Sequence, residues 1–354
     1  MAFEASDQCV RRTGLLELLL RRCLQAVPLL LILSIITFAA MLSLPGDSVD
    51  VLVGNAQKDM SPLEIQVLLQ EFGLDKSPVE QYILWLSNGV FKGNFGRSYK
   101  DGRPVISIIQ ERLPPTVRLV AIALILAFCM GVLWGLAMVA LKQTRIGKWL
   151  EAGLFVIALV LYSAPGFWIG FLALTMAGRM GVFEAVPLLA VHAAGSPPVN
   201  PQAAFSALGY VVLPALVLSL RRMAKIALFV RTATLNELTE EYVTTALGKG
   251  LSREQVLTKH VLRNSLAPII NLAGLSLPSL LGGSVLIETV FAWPGMGRLA
   301  VESTFGRDYP MILALVMMYG ALVIFSNLAA DALELMIDPR RRDAYFAEVE
   351  GAKP

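Results

Sequence analysis

Arg221, Arg222 and Lys225 fall within five residues of one another in an otherwise apolar stretch, at i+3 and i+4 spacings that group them on one helical face. Counting 1.5 Å per residue from Tyr210 puts them near the middle of a bilayer or just to its inner side. Two readings are open. The side chains snorkel to the inner headgroups, or they form a cationic wall along a water-filled path. Glu288 poses the same choice in another apolar stretch, because a lone carboxylate in hydrocarbon is costly. It is either an interfacial acid met by donors of the adjoining loop, or part of an outer gate with Trp293, where Trp293-Pro294-Gly295 turns back at the membrane surface. Asp331 and Glu334 read as interfacial acids paired with nearby arginines.

Other chemistries find no constellation. His192 and His260 are the only histidines and fall on opposite sides of the membrane in the topology below, so no His/Cys cluster has metal-ligand spacing. Cys9, Cys23 and Cys129 lie before or within apolar stretches rather than in an outward loop, and all three read as free thiols. A Gly-x-x-x-x-Gly-Lys-Ser/Thr phosphate loop is missing, as are a Ser/His/Asp set and a carboxylate pair with catalytic spacing. The chain is expected to hydrolyse no ATP and to hold no cofactor or metal of its own.

The elements that must position these residues are membrane spans. With 354 residues, 56% hydrophobic and 16% charged, at a mean hydropathy of +0.64, the chain has too few charges for a soluble domain of its size. A span needs about 20 apolar residues, since the backbone must satisfy its own hydrogen bonds in hydrocarbon. Six stretches qualify, near Leu24 to Leu44, Thr116 to Leu141, Trp149 to Gly178, Leu208 to Thr232, Ala267 to Phe291 and Tyr309 to Ile337. The first apolar run is longer than a signal-peptide core and reads as a signal anchor. The fold class is therefore an all-α membrane protein of six transmembrane helices. It divides into an N-terminal segment (1–23), one membrane domain (24–337) with a small helical outer region at about 45–115, and a tail (338–354).

Lys and Arg concentrate before the first stretch (Arg11, Arg12, Arg21, Arg22), between the second and third (Lys142, Arg145, Lys148), between the fourth and fifth (Lys249, Arg253, Lys259, Arg263) and after the sixth (Arg340, Arg341, Arg342). The positive-inside rule makes these positions, and both termini, cytoplasmic. The piece Arg11 to Leu20 either lies along the inner surface or begins the first helix. In the outer region, Ser61-Pro62 can start a helix on which Leu63, Val67, Leu68 and Phe72 keep helical spacing. Gln81 to Trp85 reads as a second helix, and Gly93 to Tyr99 as a glycine turn. Ser196-Pro-Pro-Val-Asn-Pro201 is a stiff extended link.

The inner segment at about 236–264 is polar and built like a bent lever. After Glu241 and Tyr242, Thr244-Thr245-Ala246-Leu247 is expected to be helical. Gly248 and Gly250 break that helix by permitting left-handed backbone, and Ser252-Arg253-Glu254-Gln255 has the capping-box pattern that restarts a second one. This segment resembles the EAA loop of binding-protein-dependent ABC importer permeases, with Thr244-Thr245-Ala246 in the EAA place and Gly250 in the glycine place. Leu286-Ile-Glu-Thr-Val-Phe-Ala-Trp-Pro-Gly-Met-Gly-Arg-Leu299, Arg307-Asp-Tyr-Pro310, Asn327-Leu-Ala-Ala-Asp331 and Asp338-Pro-Arg340 follow in order. Together with the lever they closely resemble the dipeptide, oligopeptide and nickel permeases of that class, over about Leu24 to Arg342. One departure is that Ser265-Leu-Ala-Pro268 closes the loop later than the general pattern.

The resemblance implies a permease of the bacterial or archaeal cytoplasmic membrane that moves peptides or similar small polar solutes by alternating access. It implies a second homologous permease, two cytoplasmic ATPases carrying ATP and Mg, and an extracytoplasmic solute-binding protein, with no nucleic acid as partner. Nickel chelates and glutathione-like solutes are alternatives within the class. An ion-coupled secondary transporter, with Glu288 and Asp331 as coupling groups, is the alternative outside it; a membrane enzyme of the outer surface lacks a catalytic constellation.

The topology has a direct test. With the native cysteines replaced, a cysteine at Gly195 or Arg298 should react with an impermeant thiol reagent in whole cells, and one at Ser252 should not. Labelling at Ser252 in intact cells would invert the orientation.

Overall fold

The structure, a computed structural model, describes residues 22, 24–43, 63, 67, 70, 75–142, 144–180, 203–262, 264–265 and 276–337. The readings placed on Arg11 to Leu20, Cys9, Cys23, Leu68, Phe72, His192, Ser196 to Pro201, Arg263, Pro268 and the tail lie outside these residues. Among them the chain is helical, with one isolated backbone bridge between Arg97 and Pro104 and no strand. The helices are α1 (Leu24–Leu42), α2 (Pro78–Leu86), α3 (Val105–Leu141), α4 (Arg145–Ser163), α5 (Gly166–Arg179), α6 (Ala203–Glu237), α7 (Glu241–Gly248), α8 (Arg253–Val256), α9 (Leu277–Val290), α10 (Met296–Phe305) and α11 (Tyr309–Ile337). A π-helical turn extends α2 over Ser87–Phe91, and another extends α8 over Leu257–Val261.

Four helices have the length and composition to cross a bilayer among the described residues: α1, α3, α4 and the Tyr309–Ala332 part of α11. The six expected stretches map onto the helices unequally. The third, Trp149 to Gly178, is not one helix. Ala164 is extended at φ −69° and ψ 140°, and Pro165 caps α5, so the chain is cut into α4 and α5. The proline ring drives its predecessor out of helical backbone, whatever the hydropathy. The second stretch begins earlier than expected, because α3 is 37 residues long and at 1.5 Å per residue spans roughly 55 Å, well beyond the hydrocarbon thickness. At 14 residues, α9 is shorter than that thickness.

The chain forms two compact units. The first comprises Arg118–Ala292 with the last part of α11 from Phe325. Here α6 is the central element, packing on α4, α5 and α9, with α5 also against α9. α3 and α6 meet through glycine. A Cβ at Gly131 would sit 2.8 Å from Cβ of Ile226 and 2.9 Å from the Met223 carbonyl oxygen. One at Gly135 would sit 2.6 Å from Cβ of Val230 and 2.8 Å from the Ala227 oxygen. Gly131-x-x-x-Gly135 therefore lets two backbones approach where lipid gives helices no hydrophobic reason to associate. Ala127, Ile226 and Val230 fill in around the crossing. At the α5–α9 contact a Cβ on Gly170 would lie 3.3 Å from Val290.

The second unit comprises the described residues of Arg21–Val117 and Trp293–Ile324. Its core joins Val105, Ile108 and Ile109 of α3 to Met296 and Leu299 of α10 and Met311 and Leu315 of α11. The expected helix around Gln81 to Trp85 is α2, begun by a reciprocal capping box between Ser77 and Glu80 with Pro78 at its start. The glycine turn is present, with Gly93 at φ 65° and Gly96 at φ 86°. Asp308, 3% exposed, ties that turn down: its carboxylate accepts from the Ser98 hydroxyl, from Tyr99 N at 3.1 Å and from Met311 N in the first turn of α11. Burial first, and then this carboxylate, hold the Tyr99 phenol well above its usual pKa. Phe38, Trp85, Phe95, Tyr99 and Tyr309 line part of a cavity of about 610 Å³ in this unit.

The glycine contact can be tested without functional assay. Gly135→Val should destabilise the detergent-solubilised protein by about 1–3 kcal/mol through overpacking, read as a lower thermal midpoint. Gly153→Val, where a new Cβ meets nothing within 4 Å, should leave it unchanged. Equal midpoints for the two variants would contradict the close α3–α6 crossing.

Candidate functional site

α6 runs unbroken for 35 residues and ends at Glu237, and a tight turn through Leu238, Thr239 and Glu240 starts α7. Glu241 sits in the first turn of α7, where the helix dipole favours an acid. α7 buries Val243 and Ala246 and exposes Glu241, Thr244, Thr245 and Leu247. Tyr242 turns back, and its hydroxyl donates to Glu237 Oε2 at 2.6 Å, joining α7 to the end of α6. Burial, followed by that hydrogen bond, raises the tyrosine pKa.

The bend is a Schellman ending. Gly250 N donates to the Leu247 oxygen at 3.0 Å and Leu251 N to the Ala246 oxygen at 3.4 Å, with Gly250 at φ 83°. Leu251 closes over the motif by packing with Val243, Ala246, Val256 and Val261. The expectation for the two glycines is thus corrected in part. Gly248 is the last residue of α7 in ordinary helical backbone, and Gly250 alone takes the left-handed conformation. Nothing lies within 4 Å of a Cβ built on Gly250, so the demand for glycine there comes from the backbone angle and not from space.

Ser252 then starts α8 through a reciprocal capping box: Gln255 N donates to Ser252 Oγ at 3.3 Å and Ser252 N to Gln255 Oε1 at 3.0 Å. Arg253 is the first residue of α8. The result is two short helices locked at a fixed bend over one small apolar core. Their outward surface carries Glu241, Thr244, Thr245, Leu247, Gly248, Ser252 and Gln255. A rigid, polar, bent surface with its core satisfied internally is suited to seat in a groove of another protein.

The other singled-out residues do not gather at the lever. Arg221, Arg222 and Lys225 lie mid-way along α6, Arg221 and Lys225 exposed and Arg222 half-buried. The Arg221 guanidinium stands 5.7 Å from the centre of the Tyr162 ring of α4. Glu288 is fully buried in α9. Trp293 is 6% exposed, and its indole N–H donates to the Pro115 oxygen at 3.1 Å, a carbonyl beside the Pro114-Pro115 pair inside α3. Met296 N donates to Thr116 Oγ1 at 2.8 Å in the same place.

Sequence reading missed one polar contact of the first unit. Arg231 of α6 donates from Nε to Glu151 Oε1 of α4 at 2.5 Å, both side chains largely buried, and its guanidinium lies 4.8 Å from the centre of the Phe155 ring. The signal was available: Glu151 and Arg231 each fall at the inner end of an expected span, an opposite pair at one depth.

Comparison with known proteins agrees with this architecture. The family described as binding-protein-dependent transport system inner membrane component matches residues 127–343, and its N-terminal membrane component matches residues 15–120. The chain is 34% identical over 324 residues to the oligopeptide transport system permease protein AppB of Bacillus subtilis (strain 168), covering 91% of this chain and 98% of that protein. It is 33% identical over 343 residues to the dipeptide transport system permease protein DppB of Escherichia coli (strain K12), covering 93% and 99%. A chain of the MetNI methionine ABC transporter, in inward-facing conformations, superposes with a TM-score of 0.50 at 18% identity, over 65% of this chain and 96% of that one, which speaks for the fold alone. The ion-coupled carrier is thereby set aside, and the chain belongs to the binding-protein-dependent transport system inner membrane component family, as a multi-pass permease subunit of an ATP-driven importer.

Proposed function

We propose that this chain is one of two homologous permeases that import peptides by alternating access, fed by an extracytoplasmic binding protein and driven by two cytoplasmic ATPases on which ATP and Mg are bound. The α7–α8 lever carries the coupling part of this reading. Its bend is held by Gly250, the Ser252–Gln255 box and a private apolar core, so a push on its polar surface moves it as one piece. It is joined to α6 by a turn of three residues, so that displacement reaches the spans directly. Both termini and the lever are cytoplasmic in this reading. The near full-length similarity to permeases named for oligopeptides and dipeptides supports peptides as cargo. In this reading Arg221, Arg222 and Lys225 line the solute path, and Glu288 and Trp293 belong to an outer gate.

Gly250→Val should uncouple the transporter, since a β-branched residue resists φ 83°. Peptide-stimulated ATP hydrolysis in membranes should fall at least several-fold, with or without loss of co-purifying ATPases, while Gly248→Ala should retain both. Wild-type hydrolysis and co-purification in Gly250→Val would remove the lever from its role.

The path reading is tested by replacing Arg221, Arg222 and Lys225 together with Gln. Loss of cationic attraction in a low-dielectric passage should slow uptake of acidic and neutral peptides more than basic ones. Uptake is normalised to assembled complex. Equal fractional losses across the charge series would return the three side chains to the membrane interface.

A further inference from the structure

We propose that Glu151 and Arg231 form a clamp that makes α4 travel with α6 when the lever moves, so that the lever drives a pair of helices and not one. The two are positioning residues, and the inference rests on the reading of α7–α8 as the coupling lever. Arg231 lies six residues, about 9 Å of helix, before the end of α6 at Glu237, where the three-residue turn into α7 begins. It is therefore a point of α6 near the lever at which a displacement can be passed sideways.

The contact is specific in a way that its surroundings are not. Among apolar side chains, packing between α4 and α6 is non-directional, and a slide of one helix on the other exchanges similar contacts for similar ones. The Arg231–Glu151 bond at 2.5 Å has one geometry, and Arg231 is 20% and Glu151 9% exposed at the side chain, so water can substitute poorly for either partner. Phe155 stands one turn beyond Glu151 on α4, and the same guanidinium lies over its ring at 4.8 Å from the centre. Arg231 is thus held by a carboxylate and by a ring, both from α4. Glu151 is the only acidic residue of α4. Higher on the same stripe, Tyr162 receives Arg221 at 5.7 Å, a second and weaker handhold. An ordinary buried ion pair would fix packing alone; one set near the root of the lever, on the helix that feeds it, also fixes which helices move together.

The test uses the complex purified with its co-expressed partner subunits and spin labels at Trp149 of α4 and Phe229 of α6, both exposed. Distances are measured without nucleotide and after trapping with ATP and vanadate, which needs no transported solute. The wild-type distance should stay constant between the two states. In the double variant Glu151→Gln/Arg231→Met, which removes both partners and leaves no uncompensated charge, it should shift or broaden by several ångströms on trapping. A wild-type distance that changes on trapping, or a double variant whose distance stays as constant as the wild type, overturns the clamp. Should the double variant assemble poorly, Glu151→Asp decides. It keeps the charge and withdraws the carboxylate by one methylene, and a constant distance there overturns the proposal while a shifting one supports it. Gly250→Val, run alongside, separates the two ideas: wild-type hydrolysis and co-purification in that variant fail the lever itself, whereas uncoupling there with a rigid α4–α6 distance in the double variant fails the clamp alone.

Discussion

Hydrocarbon offers a peptide group nothing to bond to, and that single deficit organises the chain. It makes every spanning segment helical, and it allows breaks only where other protein atoms take up the freed groups. Pro114 and Pro115 lack the N–H groups that the ladder of α3 uses, and beside them the Pro115 carbonyl accepts from the Trp293 indole while the Thr116 hydroxyl accepts from Met296 N. Asp308 does the equivalent where the chain turns into α11, binding Ser98, Tyr99 and Met311. Lipid also removes the hydrophobic motive for helix association, and Gly131 and Gly135 replace it with contact between α3 and the α6 backbone.

The lever obeys a different rule, since its short helices are too small to stand on propensity alone. The two ends that meet at the bend are therefore closed by explicit motifs. The Schellman ending at Gly250 takes up carbonyls at the end of α7, the Ser252–Gln255 box takes up donors at the start of α8, and the Tyr242 hydroxyl ties α7 to the Glu237 carboxylate at the end of α6. A residue count this small would otherwise fray. Rigidity here comes from satisfied termini more than from buried area.

What was legible in the sequence follows the range of the physics involved. Local rules worked: Ser252 to Gln255 forms the box that its spacing announces, and Gly93 and Gly96 make the turn. Gly248 was misread because two nearby glycines satisfy the same pattern and only the hydrogen-bond register, set by Leu251 packing on Ala246, selects between them. The cut at Pro165 was hidden because an apolar window measures side chains and is blind to a proline's effect on the residue before it. The start of α3 at Val105 was missed for a related reason: hydropathy marks where a helix enters hydrocarbon, not where it begins. Glu151 and Arg231 are 80 residues apart, so no local spacing joins them and only their shared depth at the ends of two expected spans points to the pair. The glycine pair at 131 and 135 was readable and was passed over.

In the proposed coupling, the continuity of α6 up to the turn before the lever lets it act as a shaft in torsion. A shaft converts a small twist at one end into tangential travel that grows with distance from its axis. A twist of about 10° moves a backbone atom, roughly 2.3 Å from the axis, by about 0.4 Å, but moves a group about 6 Å out by about 1 Å. Along this shaft the buried alanines 224 and 227 sit close to the axis, and the long arms belong to Arg221, Arg222 and Lys225. The same rotation that leaves the packed face almost stationary is thereby geared up at the cationic side chains, so one helix can be tightly fitted and still transmit motion.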